Sequence, residues 1–259
     1  MTVKAYPTLS ERHGEAVCVA GIRTDIEPHR WVRLFPVSWY DLLPSQQFDK
    51  WEFIELDIQR GSDSRPESYQ PIAESIVRGR KVGTSNGWSE RRWFLEPLVA
   101  PSMCEVRRRR AVDNTSLAVI RPRSIRDFVK TPARRLTPGQ RGIANQLRLS
   151  DEPEPKRSRE SLEELPYDFR YRYHCADPDC SGHKQKVLDW EIGQAYRRWR
   201  HRYPDDETVT NMIREKWFGE LAGPDKDTHF FVGNAHQYPD AFMVLGVFWP
   251  PAEVQGRLF

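Results

Sequence analysis

The chain has 259 residues, enough for one large domain or two small ones, with 38% apolar and 30% charged residues. Aromatic residues at 12%, nine tryptophans among them, exclude a disordered chain, because disordered chains are aromatic-poor. The net charge of +3 conceals an asymmetry: Glu105 to Arg148 carries twelve Arg/Lys against three Asp/Glu, and Asp151 to Glu164 reverses to six acids against three bases, a pattern that points to an anionic partner.

In chain order, Ala16 to Ile22 is a short apolar run and reads as a strand. Asp25 to His29 is a polar turn, and Arg30 to Pro36 alternates Trp31 and Leu34 against Arg30 and Arg33, so the two runs read as a hairpin. Trp51 to Ile58 is a third strand whose alternation changes phase between Phe53 and Ile54, which predicts a bulge. Pro71 to Lys81 adds a fourth. Residues Asn86 to Ala100 read as a helix with Ser89 as N-cap and Trp93, Leu95, Leu98 and Val99 on its apolar side. Ser116 to Arg121 and Ile125 to Lys130 are further strands, and 131–165 is a long proline-rich, charged loop. In Tyr167 to Tyr173, Phe169, Tyr171 and Tyr173 face one way. Asp189 is placed to cap a helix through about Arg202, and Asp205 opens another, with Val209, Ile213 and Trp217 at four-residue spacing. His229 to Val232 and Ala241 to Phe248 are closing strands. Many short strands joined by polar turns suit small barrels of the OB type.

The densest chemistry lies between the strand ending at Tyr173 and the helix starting at Asp189. Cys175, Cys180 and His183 have the spacing Cys-x4-Cys-x2-His around the turn sequences Asp177-Pro178-Asp179 and Ser181-Gly182. Thiolates and an imidazole on a sharp turn suit a tetrahedral zinc ion. The fourth ligand is open: His174 is adjacent to Cys175 and on a strand would point to the other face, and Cys104 or Asp189 can complete the set from elsewhere. A missing fourth protein ligand would mean a catalytic metal with bound water. Four cysteines, at 18, 104, 175 and 180, make no disulfide framework for this length. No apolar run approaches membrane-spanning length and no apolar leader follows Met1, so the chain reads as cytoplasmic and reduced, with no membrane partner.

A second candidate is the basic run Arg107, Arg108, Arg109 and Arg110, continued by Arg121, Arg123 and Arg126, which can track a phosphate backbone. Most tryptophans belong to the core, but Trp39 and Tyr40, in the loop after Pro36, are placed to stack on bases. The acids Asp177, Asp179, Asp189 and Glu191, with Lys184 and Lys186 nearby, offer a weaker nuclease-like set. His229, Asn234 and His236 lack a serine elbow, and no glycine-rich phosphate loop is present.

The segments Trp31–Val37, Arg65–Tyr69, Cys175–Glu191, Phe230–Asn234 and Leu245–Pro251 together resemble an uncharacterised bacterial family containing a dual OB-like domain. The resemblance implies two OB-like barrels and nucleic-acid binding, in a setting of genome defence or repair. The resulting expectation is an α+β protein of two small OB-like β-barrel modules, residues 1–100 and 101–259, with C-terminal helices and a zinc-stapled turn. It binds nucleic acid, DNA or RNA, without catalysing a reaction. The alternatives are a metal-dependent nuclease, or another nucleic-acid-processing enzyme, and a scaffold subunit that engages protein partners in a defence complex.

Overall fold

A computed structural model describes residues 1–6, 8–10, 14–134 and 165–252. The fold is α+β, with several sheets and four α-helices among the described residues. One sheet runs in the order β1 (Val3–Lys4), β3 (Gly14–Arg23), β4 (Arg30–Val37), β7 (Ser68–Pro71), β6 (Ile58–Gln59), with β2 (Thr8–Ser10) also on β3. The β3–β4 hairpin forms, with Ile22 opposite Trp31, but Arg33, expected on the polar side, is buried. A separate ribbon pairs β5 (Glu52–Glu55) with β8 (Val77–Lys81), and its register shifts between Glu52 and Ile54, beside the expected bulge.

In the second half, β9 (Val99–Ala100), β10 (Leu117–Ile120), β14 (His229–Ala235) and β15 (Tyr238–Phe248) form a sheet ordered β15-β14-β10-β9. The third sheet is β11 (Ser124–Pro132), β12 (Tyr167–His174) and β13 (His183–Lys186). These are separate ladders, and no closed barrel is formed among the described residues.

Helix α1 (Ser85–Leu95) corrects the sequence expectation. Asn86, Gly87 and Trp88 take positive φ, so the regular turn starts only at Ser89, and Val99–Ala100 has left the helix to pair with β10. Trp93, expected on the apolar side, is 64% exposed. Helix α2 (Met103–Asp113) carries the whole arginine run. Its N-cap is Ser102, whose hydroxyl accepts from Glu105 N at 2.9 Å, and left-handed Asn114 ends it. Only Met103 and Val106 are buried on it, too few apolar positions to give a readable helical period. Helices α3 (Trp190–Arg200) and α4 (Asp206–Arg214) start at Asp189 and Asp205, whose carboxylates accept from Glu191 N at 3.0 Å and Thr208 N at 2.7 Å. Val209, Ile213 and Trp217 are buried as their spacing predicts.

Three hydrophobic clusters build the core. One fills the first half around Val19, Leu34 and Phe48, and one the second half around Phe128, Tyr171, Ile213 and Phe230. A third joins the halves: Val3, Ala20, Trp51 and Leu95 pack with Leu117, Phe231, Leu245 and Phe248. Each large apolar side chain there contributes about 1.5–3 kcal/mol, so parting the halves costs many kcal/mol.

Polar ties reinforce the same seam. Buried Arg33 donates from Nη2 to Ser116 O at 3.0 Å, Glu67 accepts from Ser116 N and Oγ at 3.0 and 2.9 Å, and Arg65 Nη1 donates to Asn234 O at 2.8 Å. A Cβ on Gly233 would sit 2.7 Å from Leu245 Cδ1 and 2.9 Å from Leu117 Cδ2, so this close approach requires glycine. The segments Trp31–Val37, Arg65–Tyr69 and Phe230–Asn234 therefore meet at the contact between the halves.

Candidate metal centre

Four side chains from three elements converge. Cys104 lies in the first turn of α2, Cys175 follows β12, Cys180 sits in the connecting turn, and His183 opens β13. Their ligand atoms all lie within 4.8 Å of one another. Cys175 Sγ is 3.6 Å from Cys104 Sγ, and His183 Nε2 is 3.4 Å from the sulfurs of Cys175 and Cys180 and 3.6 Å from that of Cys104. All four cysteines of the chain are free thiols. The cluster can bind a metal ion.

Local chemistry fixes the turn. Asp177 accepts from Asp179 N at 3.1 Å through its carboxylate and from Cys180 N at 3.2 Å through its carbonyl. Cys175 N donates to Cys180 Sγ at 3.4 Å, an N–H···S bond that supports a ligating sulfur. Gly182 has φ +99°, a conformation that favours glycine, and it lies close under the His174 ring. Arg108 Nη2 meets Asp177 Oδ2 at 2.7 Å and ties α2, which brings Cys104, to the turn.

Burial alone would raise the Cys175 thiol. The N–H groups of Asp177 and Cys104 and the side chains of His183 and Cys180 outweigh it and hold the thiol at about 6. Cys104 is pushed up to about 12 by burial and by its hydrogen bond and charge coupling to Cys175. Three crowded sulfurs tolerate one thiolate readily and a second poorly, a conflict that a divalent cation removes.

Cys175, Cys180 and His183 come together as their spacing predicts. Of the candidates for the fourth place, Cys104 fills it. His174 stays outside the cluster, with its ring packed over Gly182. Asp189 is buried, caps α3 and binds Lys50 Nζ at 2.8 Å. The acidic set does not converge: Asp177 holds Arg108, and Glu191 meets Lys50 at 3.3 Å.

The arginine run is largely paired. Arg108 and Arg109 bind Glu105, Arg110 binds Asp240, and Arg121 binds Asp227. Arg107, Arg123 and Arg126 are exposed and make no ion pair among the described residues. Sequence reasoning named Lys184 only beside the acidic set and passed over Arg172: Arg172 on β12 stands opposite Lys184 on β13, both exposed and both without an ion pair among the described residues. The signal was their alternation with Tyr171, Tyr173 and Gln185, which face the core.

Trp39 is not a stacking platform. It is 8% exposed, lies edge-on to Phe48 at 5.0 Å, and has Lys4 Nζ 3.8 Å from its ring centroid. The side chain of Tyr40 lies outside the described residues.

A second group that can hold a metal comprises Glu96, Asp227 and His229. Here Asp227 is already engaged on both sides, by Arg92 and Arg121 at 2.6 Å each. Burial lowers the His229 pKa and keeps the ring neutral, and its Nδ1 lies 2.9 Å from Asp227 O.

Fold and cluster together define an α+β protein with a Cys3His cluster that can bind a metal ion. The chain belongs to a family described as a domain of unknown function (DUF8757), whose sequence model matches residues 99–259. Residues 1–97 match a second, described as a domain of unknown function (DUF8758). Two adjacent uncharacterised domains agree with the dual-domain family that the sequence resembles. No curated protein and no solved structure matches the chain. No helix among the described residues is long and apolar enough to cross a membrane.

Proposed function

We propose that this protein binds nucleic acid through two OB-like modules and holds one structural zinc ion in the Cys104, Cys175, Cys180, His183 cluster. The observation that carries the metal reading is the spacing of the ligand atoms. Zinc bonds of about 2.3 Å to sulfur and about 2.05 Å to nitrogen give tetrahedral edges of about 3.8 Å (S to S) and about 3.6 Å (S to N). The corresponding separations here are 3.6 Å and 3.4–3.6 Å. Three soft thiolates and an imidazole favour zinc over a hard cation, and four protein ligands leave no open position for catalysis.

The nucleic-acid reading rests on the unpaired cations beside this centre. Like charges directly opposite on a sheet are destabilising, and Arg172 and Lys184 stand so; Asp127, opposite Arg172 on β11, offsets this in part but is shared with Arg214. A phosphate backbone laid along this face relieves the repulsion, and Arg126 on β11 extends the same sheet. In this reading the contact lies on β11–β13 rather than on the paired arginines of α2.

The test is metal content of the untagged protein beside a salt series with single- and double-stranded DNA and RNA. One zinc per chain and affinity falling steeply with salt are expected. Metal-free protein with an unchanged melting temperature in chelator removes the zinc. Absence of salt-dependent binding removes the nucleic acid, and cleavage on adding magnesium or manganese transfers the assignment to a nuclease.

A further inference from the structure

A cleft of about 190 Å³ opens between the β10–β11 turn, Arg121 to Ile125, and the segment Ala222 to Thr228. None of its lining residues belongs to the metal cluster or to the Arg172–Lys184 pair. We infer that this cleft binds a phosphate monoester group through Arg121, Arg123 and Lys226.

The argument starts from Asp227. Its carboxylate is buried in the cleft wall, where an uncompensated charge would repel an anion. It is compensated twice over. Arg92, reaching from α1, donates to Oδ2 at 2.6 Å, and Arg121 Nη2 forms an ion pair with Oδ1 at 2.6 Å without hydrogen-bond geometry. The pair draws the exposed Arg121 guanidinium to the cleft and leaves its donors for a ligand. A guanidinium so placed suits the oxygens of a phosphate.

Arg123 is held by its backbone, whose N–H donates to His174 O at 2.8 Å. Its side chain is exposed and makes no ion pair among the described residues. Lys226 reaches the cleft from the opposite wall, and its one carboxylate partner, Asp225, is 70% exposed at 2.5 Å. Four cations, Arg92, Arg121, Arg123 and Lys226, thus meet three carboxylates, Asp225, Asp227 and Glu96, the last within 4.8 Å of Asp227. The surplus of one positive charge, with three of the cations lining the cleft, favours an anion.

The lining also limits what else the ligand carries. It contains no aromatic ring, only the small apolar surfaces of Pro122, Ile125 and Ala222. A base has nothing to stack on inside the cleft, so a ligand enters phosphate first and keeps the rest of itself outside. Inorganic phosphate and the terminal phosphate of a polynucleotide present this same chemistry. The inference goes beyond nucleic-acid binding and does not require it, since the inorganic ion alone probes the cleft.

The experiment is calorimetric titration of the full chain with inorganic phosphate and with one oligonucleotide sequence carrying either a 5′-phosphate or a 5′-hydroxyl. The variants are Arg123→Gln and Lys226→Gln. Arg123 holds no carboxylate, so its variant should keep the wild-type melting temperature. Saturable phosphate binding is expected, weakened about tenfold or more by each variant, as for loss of one charge-assisted hydrogen bond. A preference for the 5′-phosphorylated strand that Arg123→Gln abolishes identifies a polynucleotide end as the source. Phosphate binding without that preference identifies a free or small-molecule phosphate. Absence of phosphate binding to the wild type, or phosphate binding that both variants leave intact, overturns the inference. A wild type that binds phosphate but no polynucleotide refutes the nucleic-acid reading and leaves the cleft assignment standing.

Discussion

Replacing Cys104 with alanine isolates the reach of the metal centre. The other three ligands lie within one hairpin, whereas Cys104 is 71 residues from Cys175 along the chain. A cross-link closing a loop of that length restricts the unfolded chain by about 4 kcal/mol in the loop-entropy relation used for disulfides. Helix α2 does not detach without it, because Met103 and Val106 remain fully buried. The Arg108–Asp177 pair also remains, but Arg108 is 61% exposed there and solvent screens the pair. The Cys104→Ala protein should therefore fold, release zinc to a chromophoric chelator faster than wild type, and melt about 8–16 °C lower, at about 2–4 °C per kcal/mol for a chain of this size. Arg108→Ala should lower the melting temperature by no more than about 4 °C. Scanning calorimetry and a zinc-release assay read both. A Cys104→Ala protein that melts within about 2 °C of wild type and releases its zinc at the wild-type rate refutes the four-ligand site.

Three further outcomes follow from other parts of the molecule. Replacing Arg172 and Lys184 together with glutamine should weaken DNA or RNA binding and reduce the salt slope by about two ions without lowering the melting temperature; an unchanged slope in a fluorescence-anisotropy salt series would put the contact elsewhere. The Lys4 amine donates to Phe48 O at 2.9 Å, and burial pulls its pKa from 10.5 to about 8. The folded state therefore binds fewer protons than the unfolded chain between pH 8 and 10.5. Stability should rise with pH through that window, and wild type should gain about 3 kcal/mol over Lys4→Met across it; parallel urea-unfolding curves for the two proteins at both ends would contradict the assignment. Lys50→Met leaves the Asp189 carboxylate buried without its cation and should cost about 3–5 kcal/mol in the same assay, and a loss below 1 kcal/mol would mean that Asp189 protonates at little cost.

Much of the site was legible before folding was considered. Cys175, Cys180 and His183 lie within nine residues, and a turn sequence between two strands leaves such residues few ways to avoid one another. The caps at Asp189 and Asp205 and the Val209, Ile213, Trp217 spacing were equally local, and all formed. The failures have a common physical origin. Trp93 and Trp39 exchanged the roles expected of them because a tryptophan's burial depends on what packs over it, which no window of sequence contains. Helix α2 was invisible because its stability comes from two buried side chains and caps at both ends rather than from an apolar stripe.

The sequence by itself determined the elements whose causes are local: alternation made the strands, carboxylate caps started α3 and α4, and turn residues bent the chain at 177–182. The tertiary structure alone decided the fourth metal ligand, the neutralisation of most of the arginine run, and the meeting of Arg33, Arg65 and Asn234 at the seam between the halves. Apart from the local pairing of Arg108 and Arg109 with Glu105 on α2, each of these joins residues tens to more than a hundred positions apart. Their encounter depends on how the sheets pack, and an apolar pattern shows that a face is buried without showing what covers it.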